Sequence, residues 1–132
     1  PQLHAQTQAL TRAWRTFSTG IHRLDVVPQG IELTLAIGDV QQMLPLLQLR
    51  QLRADAIYLD GFSPALNPEM WSQPTLDAIA RLCHAGTTLA TYSTAPSVRQ
   101  GLTNAGFVIH RRPGLPPKRH RLEARFDPVN TG

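Results

Sequence analysis

The chain has 132 residues, of which 42% are hydrophobic, and its formal net charge is +4 at pH 7. This length and composition can bury the core of one domain, which excludes wholesale disorder. One cysteine excludes an internal disulfide, and no apolar run approaches the roughly 18 residues that a membrane span needs. The N-terminus is polar and lacks a signal peptide, so we expect a cytoplasmic protein without a membrane partner. The charge permits a polyanionic partner without requiring one.

The first third of the chain predicts a helix, a hairpin and a second helix. Apolar side chains at helical spacing predict a helix over residues 1–17. Alternating residues at 21–27 and 31–37 flank a Pro/Gly turn, which predicts a β-hairpin. An amphipathic helix is expected over residues 40–52, with Asp39 as its N-cap and Pro45 interrupting it early.

The rest of the chain alternates strands with helices. This order predicts a parallel sheet with crossover helices, and the short loop at 112–117 makes the last strand antiparallel. We expect a domain over residues 1–126 and a tail over 127–132. The predicted elements are strands at 55–59, 87–92, 107–111 and 120–126, and helices at 70–83 and from the cap Ser93-Thr94 to Gly106.

One stretch of this alternation has the composition of a site. The apolar strand at 55–59 stops at Asp60, and Gly61, which can adopt a positive φ, follows it. Pro64 and Pro68 then stiffen the loop. Ligands of open α/β sheets bind at the carboxyl ends of the strands, so Asp60 is a candidate functional carboxylate, with a solvated loop carboxylate as the alternative.

Polar pairs end three of the predicted strands, namely Gly38-Asp39, Asp60-Gly61 and Ser93-Thr94. In one parallel sheet these ends lie along one edge, and we expect them to converge in one crevice. Asp39 and Ser93 are equally well explained as helix N-caps, a role that is compatible with ligand binding.

Other polar and aromatic residues leave two interpretations open. Phe62, Asn67 and Trp71 could contact a planar ligand, or could be loop scaffold and core anchors. A basic segment at 110–121 could contact phosphates or be a solvated loop. Cys83 is expected in the core, and the histidines lack metal-ligand spacing, so no metal is predicted.

The segment Asp-Gly-Phe-Ser-Pro-Ala-x-Asn-Pro-Glu-Met-Trp at residues 60–71 resembles the methyltransferase domain of the bifunctional tRNA 5-methylaminomethyl-2-thiouridine biosynthesis (MnmC) family. The resemblance runs from Trp14 to Phe126. Further similar segments are Leu-Ala-Ile-Gly-Asp at 35–39, Thr-Leu-Ala-Thr-Tyr-Ser at 88–93, Val-Arg-x-Gly-Leu-x-x-Ala-Gly-Phe at 98–107 and the pair Lys118-Arg119.

The resemblance implies a Rossmann-like class I fold that uses S-adenosylmethionine and methylates the 5-aminomethyl nitrogen of the wobble uridine in certain tRNAs. It implies that Gly38 and Asp39 bind the cofactor, with Asp39 at its adenine end. Asp60, as the catalytic residue, and Gly61 would lie at the cofactor's methionine end. The residues implied to contact the target base or the anticodon loop are Phe62, Ser63, Pro64, Asn67, Trp71, Lys118 and Arg119.

The chain also departs from the family pattern. The Gly-rich cofactor loop of class I methyltransferases has no counterpart in this sequence, so we expect the C-terminal half of such a domain, inactive without an upstream half. In the bifunctional family the partner is a fused FAD-dependent oxidoreductase domain. Turn residues also differ, with His84-Ala85-Gly86 in place of Pro-Gly-Gly. The alternative is a non-catalytic RNA-binding protein or truncated methyltransferase-like protein.

Overall fold

A computed structural model of the chain describes residues 4–13, 17–26, 30–61, 63–113 and 120–128. It forms two compact units, residues 1–43 and residues 44–132. The elements in chain order are α1 (His4–Ala13), β1 (Gly20–Val26), β2 (Ile31–Ile37), α2 (Val40–Leu49), β3 (Ala54–Tyr58), α3 (Gln73–Ala80), β4 (Cys83–Thr91), α4 (Pro96–Ala105), β5 (Phe107–Pro113) and β6 (His120–Phe126).

The first unit contains the predicted β-hairpin. β1 and β2 pair antiparallel from Gly20 opposite Ile37 to Val26 opposite Ile31, which confirms the hairpin. Leu24 is buried on one face of β1, as the alternation predicts. The hairpin therefore follows from the period-2 pattern of the two segments.

The helix α2 begins after Asp39, whose Oδ1 accepts a hydrogen bond from the backbone N–H of Gln41 at 2.9 Å. This bond satisfies an amide of the first turn that has no partner within the helix, so the predicted N-cap is confirmed. The predicted interruption at Pro45 is wrong, because the helix runs through that residue to Leu49.

The second unit is built on a four-stranded sheet with the strand order β3-β4-β6-β5. β3 and β4 are parallel, and β6 is antiparallel to both of its neighbours, β4 and β5. The antiparallel last strand is confirmed. The sequence did not predict where this strand lies in the sheet. In the structure β6 lies between β4 and β5, which run in the same direction.

Helices α3 and α4 cover one face of this sheet and form the core with it. Gly101 allows the two helices to approach closely, because a Cβ on Gly101 would lie 2.5 Å from Cδ1 of Leu76. The Gln73 side chain donates to the Gly101 carbonyl at 3.0 Å and to Asp77 at 2.8 Å. The buried core residues with almost no exposed surface are Leu76, Leu89, Val98, Leu102, Phe107 and Leu122.

Several predicted boundaries are wrong. The helix predicted over 70–83 is α3, which starts at Gln73 because residues 68–72 form turns. β4 starts at Cys83, which pairs with Ala54 of β3; the next pair is Thr88 with Ala56, so residues 84–87 form a bulge in the strand. The N-cap of α4 is Ala95 without a side-chain hydrogen bond, so Ser93-Thr94 is not the cap.

Candidate functional site

Asp60 follows β3 at the carboxyl end of the parallel pair. The preceding residue, Leu59, is buried, and its N–H donates to the Ala90 carbonyl of β4 at 2.9 Å. Asp60 itself is exposed. The burial of Leu59 fixes the end of β3, and Asp60 follows that end as an exposed carboxylate, as the sequence predicts.

Asp60 borders a depression lined by residues of β3, β4 and β6, which we call the sheet crevice. Its volume is about 420 Å³. Tyr58 and Tyr92 flank it with 84% and 48% of their surface exposed, and an ion pair of Arg121 and Glu123 at 3.0 Å lies within it. The lining residues also include Ala56, Thr88 and Ala90.

Asp60 also borders a second, more open depression, the loop crevice. Its volume is about 490 Å³, and it is lined by Asp60, Gly61, Asn67 and Met70. The loop folds back because the backbone N–H groups of Leu66 and Asn67 both donate to the Ser63 carbonyl at 2.9 Å. This turn brings Asn67 to the same depression as Asp60, which puts two of the predicted site residues together.

Gly61 is required for a different reason from the predicted one. Its φ is not in the left-handed region, so the expected positive φ is wrong. A Cβ at this position would instead lie 2.4 Å from Sδ of Met70. The glycine makes room for a side chain that arrives from nine positions later.

The remaining predicted residues of this loop lie apart from its crevices or outside the described residues. Trp71 is a core residue with 7% of its surface exposed, and it clusters with Leu76. Neither Ser63 nor Pro64 is among the residues that line the loop crevice or the sheet crevice. Phe62, Lys118 and Arg119 lie outside the described residues.

The pair Gly38-Asp39 belongs to the first unit, whereas Asp60 belongs to the second. Gly38 has φ 150°, and a Cβ there would lie 3.0 Å from Cε of Met43, so the turn before α2 is tightly packed. Asp39 is exposed, and its cap bond occupies one carboxylate oxygen. The expected convergence of Asp39 with Asp60 stays a prediction.

Sequence reasoning missed Tyr58, Tyr92, Arg121 and Glu123 of the sheet crevice, as well as Met70 of the loop crevice. Glu123 reaches the crevice because β6 pairs with β4 and places Glu123 opposite Ala90, and Arg121 lies two residues earlier on the same strand. Strand order cannot be derived from the periodicity of a single segment. The alternation within the segment 56–60 was a usable signal for Tyr58, which lies on the opposite face from Leu59.

Nucleophilic and metal chemistry find no support in the described part of the chain. Burial raises the pKa of the Cys83 thiol to about 11, so the unreactive thiol form predominates at neutral pH. No group of three or more His, Cys, Asp or Glu side chains in the described ranges could hold a metal ion. No described helix is long and apolar enough to cross a membrane.

Comparisons with known proteins agree with this geometry. A family model described as S-adenosyl-L-methionine-dependent methyltransferase matches residues 1–127. The "tRNA 5-methylaminomethyl-2-thiouridine biosynthesis bifunctional protein MnmC" of Paracidovorax citrulli is 49% identical over 132 residues, and that of Cupriavidus metallidurans is 51% identical over 120 residues. These matches cover 97% and 91% of this chain but only 20% and 17% of the relatives.

The crystal structure of MNMC2 from Aquifex aeolicus superposes on the chain with a TM-score of 0.71. The match covers 92% of this chain and 36% of that one at 23% identity, and it supports the fold. The chain thus spans about a fifth of the length of the curated MnmC relatives that it resembles. The mixed sheet and the carboxylate at the end of β3 agree with the family match over residues 1–127. The chain therefore belongs to the S-adenosyl-L-methionine-dependent methyltransferase family.

Proposed function

We propose that this chain contributes the target-side wall of an enzyme that methylates the 5-aminomethyl nitrogen of a tRNA wobble uridine. The observation that carries the proposal is the exposed carboxylate of Asp60, which borders both the sheet crevice and the loop crevice. The tRNA substrate is carried over from the names of the MnmC relatives.

The residues present fit a cofactor with a positively charged centre and a planar base. Asp60 has no hydrogen bond or ion pair to another described residue, so its carboxylate is available to a cation. The Asn67 amide can donate and accept hydrogen bonds at the same depression. The exposed rings of Tyr58 and Tyr92 offer aromatic faces at the sheet crevice.

When bound, S-adenosylmethionine supplies an electrophilic methyl group on a sulfonium. The amine must present a neutral lone pair along the line of the bond that breaks, so positioning supplies much of the rate. We assign Asp60 the task of accepting a hydrogen bond from that amine and orienting it. Once methylated, the amine would be a cation, and Asp60 would take up its proton.

The RNA must present its base outside the stack to reach such a site. We propose that Phe62 and Asn67 line the base pocket and that Lys118 and Arg119 contact the backbone of the anticodon loop. Loop contacts from Ser63 and Pro64 belong to the same proposal. The relatives are named as bifunctional proteins, so we further propose a fused FAD-dependent oxidoreductase domain as the partner of this methyltransferase.

The test is methyl transfer from S-adenosylmethionine to an RNA stem-loop that carries 5-aminomethyl-2-thiouridine, by an enzyme in which this chain is joined to the upstream half of the domain. Replacement of Asp60 by Asn removes the proton acceptor and keeps the shape, so we expect kcat/KM to fall by about 10²- to 10⁴-fold. The matched control is Asp55→Asn, which changes an exposed carboxylate at the other end of the same strand. We expect this control to keep the wild-type rate.

Calorimetric titration with S-adenosylmethionine, with Asp39→Ala alongside, tests the cofactor assignment separately. Loss of binding in Asp39→Ala supports the adenine-end role of Asp39. Equal methyl transfer by wild type and Asp60→Asn would refute the role of Asp60. Tight binding of the RNA by a protein that binds no S-adenosylmethionine would favour the non-catalytic RNA-binding alternative.

A further inference from the structure

One residue that lines the loop crevice, Met70, has no role in the proposed chemistry. Its thioether end lies directly against the backbone of Gly61. A Cβ on Gly61 would lie 2.4 Å from Sδ and 2.8 Å from Cε of Met70, distances at which one of the two must move. The contact joins the two ends of the loop, since Gly61 follows Asp60 and Met70 precedes the turn into α3.

Met70 is firmly held from behind. The carbonyl of the preceding residue, Glu69, accepts hydrogen bonds from Oγ of Ser72 at 2.8 Å and from Oγ1 of Thr75 at 2.8 Å. The following residue, Trp71, is buried in the core, and Met70 itself packs against that core. The backbone around Met70 is therefore fixed, and its thioether extends from that fixed backbone to Gly61.

Asp60 has no comparable support of its own. In the described part of the chain its carboxylate has neither a hydrogen-bond donor nor a cation as a partner, and the last fixed group before it is the N–H of Leu59. The direction in which the carboxylate points is therefore set by the backbone on both sides of it. On the C-terminal side the identified contact is the one between Gly61 and Met70.

We propose that Met70 is a positioning residue, whose thioether fixes the backbone at Gly61 and so sets where the Asp60 carboxylate stands and how deeply an acceptor enters the loop crevice. This inference rests on the proposed function for its catalytic consequence. Methionine suits the task because its unbranched chain reaches across the loop and its end fits the flat surface of a glycine. Rates of oriented reactions depend steeply on such placement.

The contact can be tested without activity, because the chain contains only two methionines, Met43 and Met70. Protein labelled with ¹³C at the methionine methyl groups gives one signal for each. We expect Gly61→Ala to shift the Met70 signal and to leave that of Met43 in place. An unchanged Met70 signal in a folded Gly61→Ala protein would overturn the inference.

The positioning role is tested by steady-state methyl transfer with Met70→Ala, Met70→Leu and the loop control Leu66→Ala, whose side chain is 78% exposed. We expect Met70→Ala to lower kcat by about 10- to 100-fold, as a displaced reacting group does. The KM for S-adenosylmethionine should change little. Met70→Leu should recover part of the rate, and Leu66→Ala should match wild type.

A double replacement distinguishes a Met70 side chain that positions the backbone at Gly61 from one that only fills space. Gly61→Ala alone forces Met70 away, whereas Gly61→Ala combined with Met70→Ala removes the clash, so the losses should be less than additive. A Met70→Ala protein with wild-type kcat would overturn the positioning role and leave the proposed function standing. A wild-type enzyme that includes the upstream half but shows no methyl transfer would instead refute the proposed function, and the methyl signals would still decide whether the contact exists.

Discussion

Replacing Leu122 by Ala tests whether β6 completes the core of the second unit. Leu122 lies on β6, opposite Thr91 of β4 and Arg111 of β5, and none of its surface is exposed. The replacement removes buried methyl groups and leaves a cavity that strands on both sides prevent from closing. Leucine-to-alanine changes at such sites cost about 2–5 kcal/mol of unfolding free energy.

Urea unfolding followed by circular dichroism measures this cost. With a slope of about 2 kcal/mol per molar urea, the midpoint should fall by about 1–2.5 M. The control Leu66→Ala removes the same groups from a side chain that is 78% exposed, and should shift the free energy by less than about 0.5 kcal/mol. Equal midpoints for the Leu122→Ala and Leu66→Ala proteins would refute the placement of β6 within the core.

Three further predictions concern single side chains. Hydrogen bonds to the Ala85 carbonyl and to Asp55 raise the pKa of His84 above 6.5, so its stabilising effect is complete below that pH and is lost as the pH rises through the raised pKa. The difference in urea midpoint between wild type and His84→Gln should therefore shrink as the pH rises above 6.5, and a constant difference would contradict it. Burial raises the pKa of Cys83 to about 11, so a thiol reagent at about pH 8 should label it only as fast as the protein unfolds, and rapid labelling of folded protein would contradict its burial. Gly106 has φ 110° and a Cβ there would lie 2.9 Å from the Phe126 ring, so Gly106→Ala should lower the urea midpoint more than Gly86→Ala, whose φ is 94° but whose Cβ would meet no neighbour within 4 Å.

The strand before Asp60 and the hairpin were predictable because their signals are local. A short apolar run that ends in Asp-Gly has few alternatives to a strand, and the alternation over 31–37 fixes the period directly. The expectation that the strand is buried is wrong, because no residue of β3 is fully buried. The parallel pairing of β3 with β4 followed from the intervening helix. The carboxyl end of β3, and with it Asp60, could therefore be located from sequence.

The features that were missed depend on residues distant in sequence. The segment 84–86 has turn composition, and only the pairing of Cys83 and Thr88 with β3 shows that it belongs to a bulge within a strand. Gly61 was expected to provide a positive φ, but it provides room for Met70. Ser93-Thr94 has the composition of a helix cap, yet the helix begins after Ala95, with Pro96 in its first turn. In each case composition indicated a local role that tertiary packing replaced.

The insertion of β6 between β4 and β5 has a consequence for how the protein is made. β4 and β5 leave the ribosome first, but they are not neighbours in the sheet and have no ladder with each other. Both ladders form only when residues 120–126, the last described strand, become available. Until then two strands present unpaired edges, which is the condition under which nascent chains aggregate or recruit chaperones. Synthesis that pauses before residue 120 should therefore leave a protease-sensitive chain, and release of the final strand should close the sheet in one step.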